Sequence, residues 1–105
     1  MADMTRPVIE LHVCVDGGPE RRFVGRFAWT LLELIKAGDK GCTPIEQPAP
    51  RWSHYVFRLR KDGVCIETIT EPHSGAYAGH HARYRLASKV QVVRVVRAGE
   101  ERNAA

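Results

Sequence analysis

Arg51-Trp52-Ser53-His54-Tyr55-Val56-Phe57-Arg58-Leu59-Arg60-Lys61-Asp62-Gly63 is the stretch on which the reading of this chain turns. Trp52, Val56 and Leu59 fall at i, i+4 and i+7, so a helix would gather them on one face. Arg51, His54, Arg58 and Lys61 fall at i, i+3, i+7 and i+10 on another. The spacing predicts a helix over about 50–62, with one face packed and the other offered to an anion. Pro48 and Pro50 cannot lie inside a helix, but a proline at the entrance has its φ already set, which places the start near Ala49 to Trp52. Gly63 is the expected stop, because glycine takes the left-handed conformation after a helix without a Cβ clash, and Arg60 and Lys61 suit the negative end of the helix dipole. A merely solvated amphipathic helix shows the same pattern, so its neighbours have to decide.

Downstream, Val64-Cys65-Ile66-Glu67-Thr68-Ile69-Thr70 reads as a strand. It leads through Glu71-Pro72-His73-Ser74-Gly75-Ala76-Tyr77-Ala78-Gly79-His80-His81 into Ala82-Arg83-Tyr84-Arg85-Leu86, a second strand beyond a glycine-containing tip. Alternation predicts Tyr84 and Leu86 inward and Arg83 and Arg85 outward, facing phosphates or a minor groove. Helix, strand and basic hairpin in this order suggest a winged helix. Upstream, Val8–Val15 reads as a strand, Asp16-Gly17-Gly18-Pro19 as a turn and Arg21–Val24 as a short returning strand. Phe27–Ala37 carries a broad apolar face of Phe27, Ala28, Leu31, Leu32, Leu34 and Ile35 and predicts a helix stopped by Gly38. Gly41 is expected to leave the next loop conformationally free. Thr43-Pro44-Ile45-Glu46-Gln47 resembles a helix start, with Thr43 as N-cap and Glu46 closing a capping box, although Pro48 allows only about one turn. Lys89–Arg97, with five valines, is a final strand that needs covering. Pairing with Val8–Val15 is favoured over pairing across a two-fold axis.

Composition bounds the rest. A chain of 105 residues with 44% hydrophobic and 27% charged residues is long enough for one folded domain and too apolar for disorder. No apolar run approaches the roughly 18 residues that cross a bilayer, and Met-Ala-Asp-Met-Thr-Arg-Pro has no apolar core of a signal peptide, so a cytoplasmic protein is expected. Cys14, Cys42 and Cys65 are odd in number and lack C-x-x-C spacing, which predicts reduced thiols. Residues 1–50 hold six Lys/Arg against seven Asp/Glu, residues 51–97 nine against three, and residues 98–105 one against two. The excess of six positive charges thus lies in one segment, the asymmetry expected if one face meets a polyanion.

Gly41-Cys42-Thr43-Pro44, Arg51-Trp52-Ser53-x-Tyr55-Val56-x-x-Leu59-Arg60-x-x-Gly63, Ile66-Glu67-Thr68 and Ala82-Arg83-Tyr84-Arg85-Leu86, in that order, resemble the small winged helix proteins of proteobacteria, which are similar to phage-type helix-turn-helix domains. The resemblance spans about residues 25–87. It leaves an N-terminal strand and hairpin (8–24) and a C-terminal strand (88–97) outside the core of a single α+β domain. It implies double-stranded DNA as partner, with Ser53, His54, Phe57, Arg58 and Lys61 toward the major groove and the hairpin toward the backbone or minor groove.

Chemistry refines the roles. Arg51, Arg58, Lys61, Arg83 and Arg85 are candidates for phosphate contacts, and Ser53, His54 and Phe57 for base edges. The expected function is a transcriptional regulator or a phage or mobile-element accessory factor, acting as a homodimer on two half-sites. The rival is a protein-interaction adaptor that uses the same fold without nucleic acid, signalled by an exposed apolar patch at Phe57, Tyr77 or the valine strand. Single-stranded nucleic acid would require exposed Trp52, Tyr55 or Tyr77 for stacking. His73, His80, His81 and Cys65 are possible metal ligands whose spacing fits no zinc motif. Cys42 has no nominated base, and Asp16-Gly17-Gly18-Pro19 lacks the lysine and helix of a phosphate loop. No cofactor and no enzymatic activity are expected.

Overall fold

The computed structural model describes residues 6–47, 51–74 and 79–99. The expectations that rest on Pro48, Ala49, Pro50, Gly75 and Tyr77 lie outside them. Eight elements follow one another: β1 (Val8–Val15), β2 (Glu20–Val24), α1 (Gly25–Ala37), a 3-10 turn (Gly38–Lys40), α2 (Trp52–Lys61), β3 (Ile66–His73), β4 (Gly79–Leu86) and β5 (Val90–Arg97).

The β1–β2 turn has a local cause. Asp16 and Gly17 both take positive φ, 51° and 75°, the type I′ pattern whose twist matches a hairpin, and the Gly18 N–H donates to the Val15 carbonyl at 2.9 Å. The same turn holds the far end of the chain, since the Asp16 carboxylate accepts from the Lys89 N–H at 2.8 Å. β5 then runs antiparallel to β1, giving the sheet order β2-β1-β5. The intramolecular pairing of the two terminal strands is therefore the observed one. One face of this sheet buries Leu11, Val13 and Phe23; the other carries a polar set in which Arg22 pairs with Glu10, and His12 Nδ1 lies 3.3 Å from Glu20.

α1 starts two residues earlier than its apolar pattern predicts, and Gly38, at φ 58°, ends it with its N–H on the Leu34 carbonyl. Ala28, Leu31, Leu32 and Leu34 meet the sheet and the buried face of α2, formed by Trp52, Val56 and Leu59. β3 and β4 pair antiparallel as the second sheet, with Ile66 opposite Leu86 and His73 opposite Gly79. Val64, expected at the start of the strand, instead precedes it as a buried residue of the connection.

Gly41 corrects an expectation. It is buried at φ 73°, and a Cβ there would lie 2.5 Å from the Tyr84 carbonyl oxygen, so it permits close backbone approach rather than a free loop. The approach is used at once: Cys42 and Tyr84 exchange N–H to carbonyl bonds of 2.8 Å in each direction, which adds a one-residue third strand to the β3–β4 hairpin.

Candidate nucleic-acid interface

α2 is built by its ends and its apolar stripe. At its C-terminus the Gly63 N–H reaches the Arg60 carbonyl and the Val64 N–H reaches the Leu59 carbonyl, both at 3.0 Å, with Gly63 at φ 94°. This is a Schellman motif, and its usual apolar contact is supplied by buried Val64 and Leu59. At the N-terminus Arg51 enters at φ 67° with no side-chain cap, and its carbonyl accepts from His54 and Tyr55. Thr43–Gln47 precedes it as a hydrogen-bonded turn, not a helix. Thr43 Oγ1 accepts from the Glu46 N–H, as a capping threonine does, but the return bond to the Thr43 N–H comes from Gln47 Oε1, not from Glu46, which is engaged by Arg83.

Trp52 fixes the rotation of α2. It is 2% exposed, stacks on Tyr84 with centroids 5.9 Å apart, touches Trp29, and donates its indole N–H to the Gln47 carbonyl at 2.7 Å. With Trp52 inward, Ser53, Phe57, Arg58 and Lys61 are exposed and His54 is half-buried at the edge of the same surface. A second anchor is Phe27 of α1, which meets Tyr55 edge to face at 5.3 Å, His54 at 6.2 Å and the Arg58 guanidinium at 5.5 Å. Lys61 Nζ lies 5.1 Å over the Phe57 ring. Among the described residues, no carboxylate forms an ion pair with Arg51, Arg58 or Lys61. Six of the eight residues proposed from sequence therefore come together around one solvent-facing surface.

The hairpin arginines are placed differently. Arg83 does not project freely outward: its side chain is 22% exposed, it grips both Glu71 oxygens at 2.8 and 2.9 Å, and its Nη1 reaches Glu46 at 2.9 Å and the Lys40 carbonyl at 3.0 Å. The physical reason is register. Arg83 lies opposite Ile69, diagonal to Glu71 on the same face, within reach of a bidentate pair. Arg83 holds the Glu71 carboxyl down to about 2, helped by His81, and lowers Glu46 below the usual carboxylate range. Arg85 is 38% exposed and pairs with Glu67 at 2.6 Å.

Further along the hairpin, His81 Nε2 lies 2.8 Å from Glu71, and the His73 and His81 Nδ1 atoms are 2.9 Å apart, so that one donates to the other. Among the described residues, no group of three or more His, Cys, Asp or Glu side chains is placed to hold a metal ion. Cys14, Cys42 and Cys65 are free thiols; Cys42 is fully buried, and burial pushes its thiol up to about 11, which leaves no thiolate for chemistry near neutral pH.

Arg60 was missed as a structural residue. Its guanidinium caps the Ile66 carbonyl at 2.7 Å and the Thr68 hydroxyl at 2.6 Å, tying α2 to the hairpin. Arg21 similarly donates to the Asp62 carbonyl. Neither contact has a local signal, since each bridges separate elements.

A family model described as Winged helix domain matches residues 20–96. The chain belongs to that family. The match extends past the 25–87 core expected from the motifs and takes in β2 and all of β5 but Arg97, so the winged helix domain includes strands of both sheets. No curated protein and no solved structure gives a significant match to this winged helix domain. No helix among the described residues is long and apolar enough to cross a membrane.

Proposed function

We propose that this winged helix domain binds double-stranded DNA with the solvent face of α2 in the major groove, as a transcriptional regulator or mobile-element accessory factor in the cytoplasm. The observation that carries the reading is the set of three cations on α2 and at its entrance, Arg51, Arg58 and Lys61, that have no carboxylate partner among the described residues and flank Ser53, His54 and Phe57. Exposed cations without an internal carboxylate partner are the ones free to release counterions from a phosphate backbone. Arg85 adds a phosphate contact by exchanging Glu67 for DNA, and Arg83 orients the wing. No catalytic step and no cofactor enter the proposal, and two copies on adjacent half-sites complete it.

Fluorescence anisotropy on random-sequence duplexes across a salt series tests this. Wild type should show log affinity falling linearly with log salt, and Arg58→Ala/Lys61→Ala should flatten the slope by about 1.8, at roughly 0.9 per lost phosphate contact. Arg83→Ala should leave the slope unchanged while lowering the thermal midpoint. Absence of binding at low salt would sink the proposal.

A second reading has its own observation. Val92 and Val93 on the edge strand β5 are exposed, Val93 at 51%, and an uncovered valine edge suits pairing with another chain. It takes first place if DNA does not bind.

A further inference from the structure

Ser53, Phe57 and Lys61 succeed one another at i, i+4 and i+8 and so form one line along α2, with His54 and Arg58 as the parallel line beside it. Four of these five side chains carry a hydrogen-bonding group. Phe57 carries none, and it is 54% exposed. The fold does not need the ring there: Phe57 is absent from the buried cluster and from the partly buried residues packed on it, and among the described residues its one ring contact is the Lys61 ammonium of its own helix.

A phenyl ring carried into a major groove meets base edges that are almost entirely donors and acceptors. The one apolar group there is the 5-methyl of thymine. Against a G·C pair the ring would strip water from polar atoms without replacing their hydrogen bonds, which costs free energy. Against a thymine methyl it removes apolar surface from water on both partners. The cations at Arg58 and Lys61 supply attraction without sequence content, so a preference among sites has to come from groups of this other kind.

We infer that Phe57 reads the 5-methyl group of thymine, so that preferred sites of this domain carry thymine at one fixed position beneath the middle of α2. The inference rests on the DNA-binding reading above and names what that surface recognises. Contact with one methyl-sized group corresponds to about fourfold in affinity.

The experiment enriches tight-binding duplexes from a random library with the full-length chain, then compares each enriched duplex with its counterpart in which uracil replaces thymine, base by base. Uracil pairs as thymine does and lacks only the methyl. Wild type should lose about fourfold at one position of each half-site. Phe57→Ala should bind the thymine and uracil duplexes equally at that position, and Phe57→Leu, which keeps an apolar side chain, should retain part of the difference. Circular dichroism and thermal midpoints of both variants, expected near wild type for an exposed position, separate loss of reading from loss of fold. Enrichment and tight binding with no uracil effect at any position, or an effect that survives in Phe57→Ala, would overturn the inference while leaving DNA binding in place. Failure to enrich any duplex would overturn both.

Discussion

Gly41 shows how much a single backbone position can decide. The 2.5 Å between a notional Cβ and the Tyr84 carbonyl oxygen excludes a side chain that its φ of 73° already disfavours, whereas Gly38, at φ 58°, has open space around it. Gly38→Ala should therefore cost only the backbone strain of its glycine-favouring conformation (φ 58°, ψ −134°), about 1–3 kcal/mol. Gly41→Ala should exceed it by more than 1 kcal/mol in urea unfolding, because the strand that carries Tyr84 has to move. Equal losses would mean that the bridge between Cys42 and Tyr84 yields easily. Cys42 offers a second test at this scale. Fully buried, with its thiol pushed up to about 11, it should resist a thiol reagent in the native protein, while exposed Cys65 reacts promptly; unfolding should release the protected thiol. Both residues stand out in the sequence, yet burial against Tyr84 is what gives them their roles.

At the scale of elements, α2 was legible because its causes are local. An apolar stripe at i, i+4, i+7 and a glycine at the residue after the cap are enough, and they predict the Trp52 face and the Gly63 stop. The β3–β4 pair was legible as a hairpin but not in its electrostatics. Whether Arg83 faces solvent or Glu71 depends on which residues lie opposite across the strands, and alternation alone does not supply that register. The pairing has a pH signature. Glu71 is depressed to about 2 from an ordinary value near 4.5, so the stability it contributes is present in full above about pH 5 and is lost as pH falls toward 2. Thermal midpoints measured from pH 6 to pH 2 should fall less steeply in Glu71→Gln than in wild type, with the variant already less stable at pH 6. Parallel curves would show that the pair contributes nothing to folding. Glu46 and Glu10, also lowered by arginine neighbours, keep some acid sensitivity in the variant.

Across the whole molecule, the two ends of the chain close the core. β5 pairs with β1 over the full length of both, and Val90 and Val95 pack against the buried cluster beside Leu11 and Val13. A chain ending at Lys89 should lose cooperative unfolding by circular dichroism, because about 25 cal/mol for each Å² of apolar surface returned to water is large against the few kcal/mol that hold a domain of this size. Retained cooperativity would make β5 an appendage instead. Charge also acts at this scale. Residues 51–97 hold nine Lys/Arg against three Asp/Glu; Arg83 and Arg85 are paired within the hairpin, Arg51, Arg58, Arg60 and Lys61 lie along α2 and at its entrance, and Lys89, Arg94 and Arg97 lie at β5, so the excess is divided between α2 and the terminal sheet.

The sequence by itself determined the strands and helices, the order that makes a winged helix, and the residues that share the exposed face of α2. Each of these follows from side-chain periodicity or from the backbone preference of one residue, and neither depends on distant parts of the chain. Tertiary structure alone decided that Gly41 is wedged against Tyr84 and that Arg83 turns inward to Glu71 and Glu46. Those outcomes are set by groups 12 to 43 residues apart in sequence, and only the folded chain brings such groups within bonding distance.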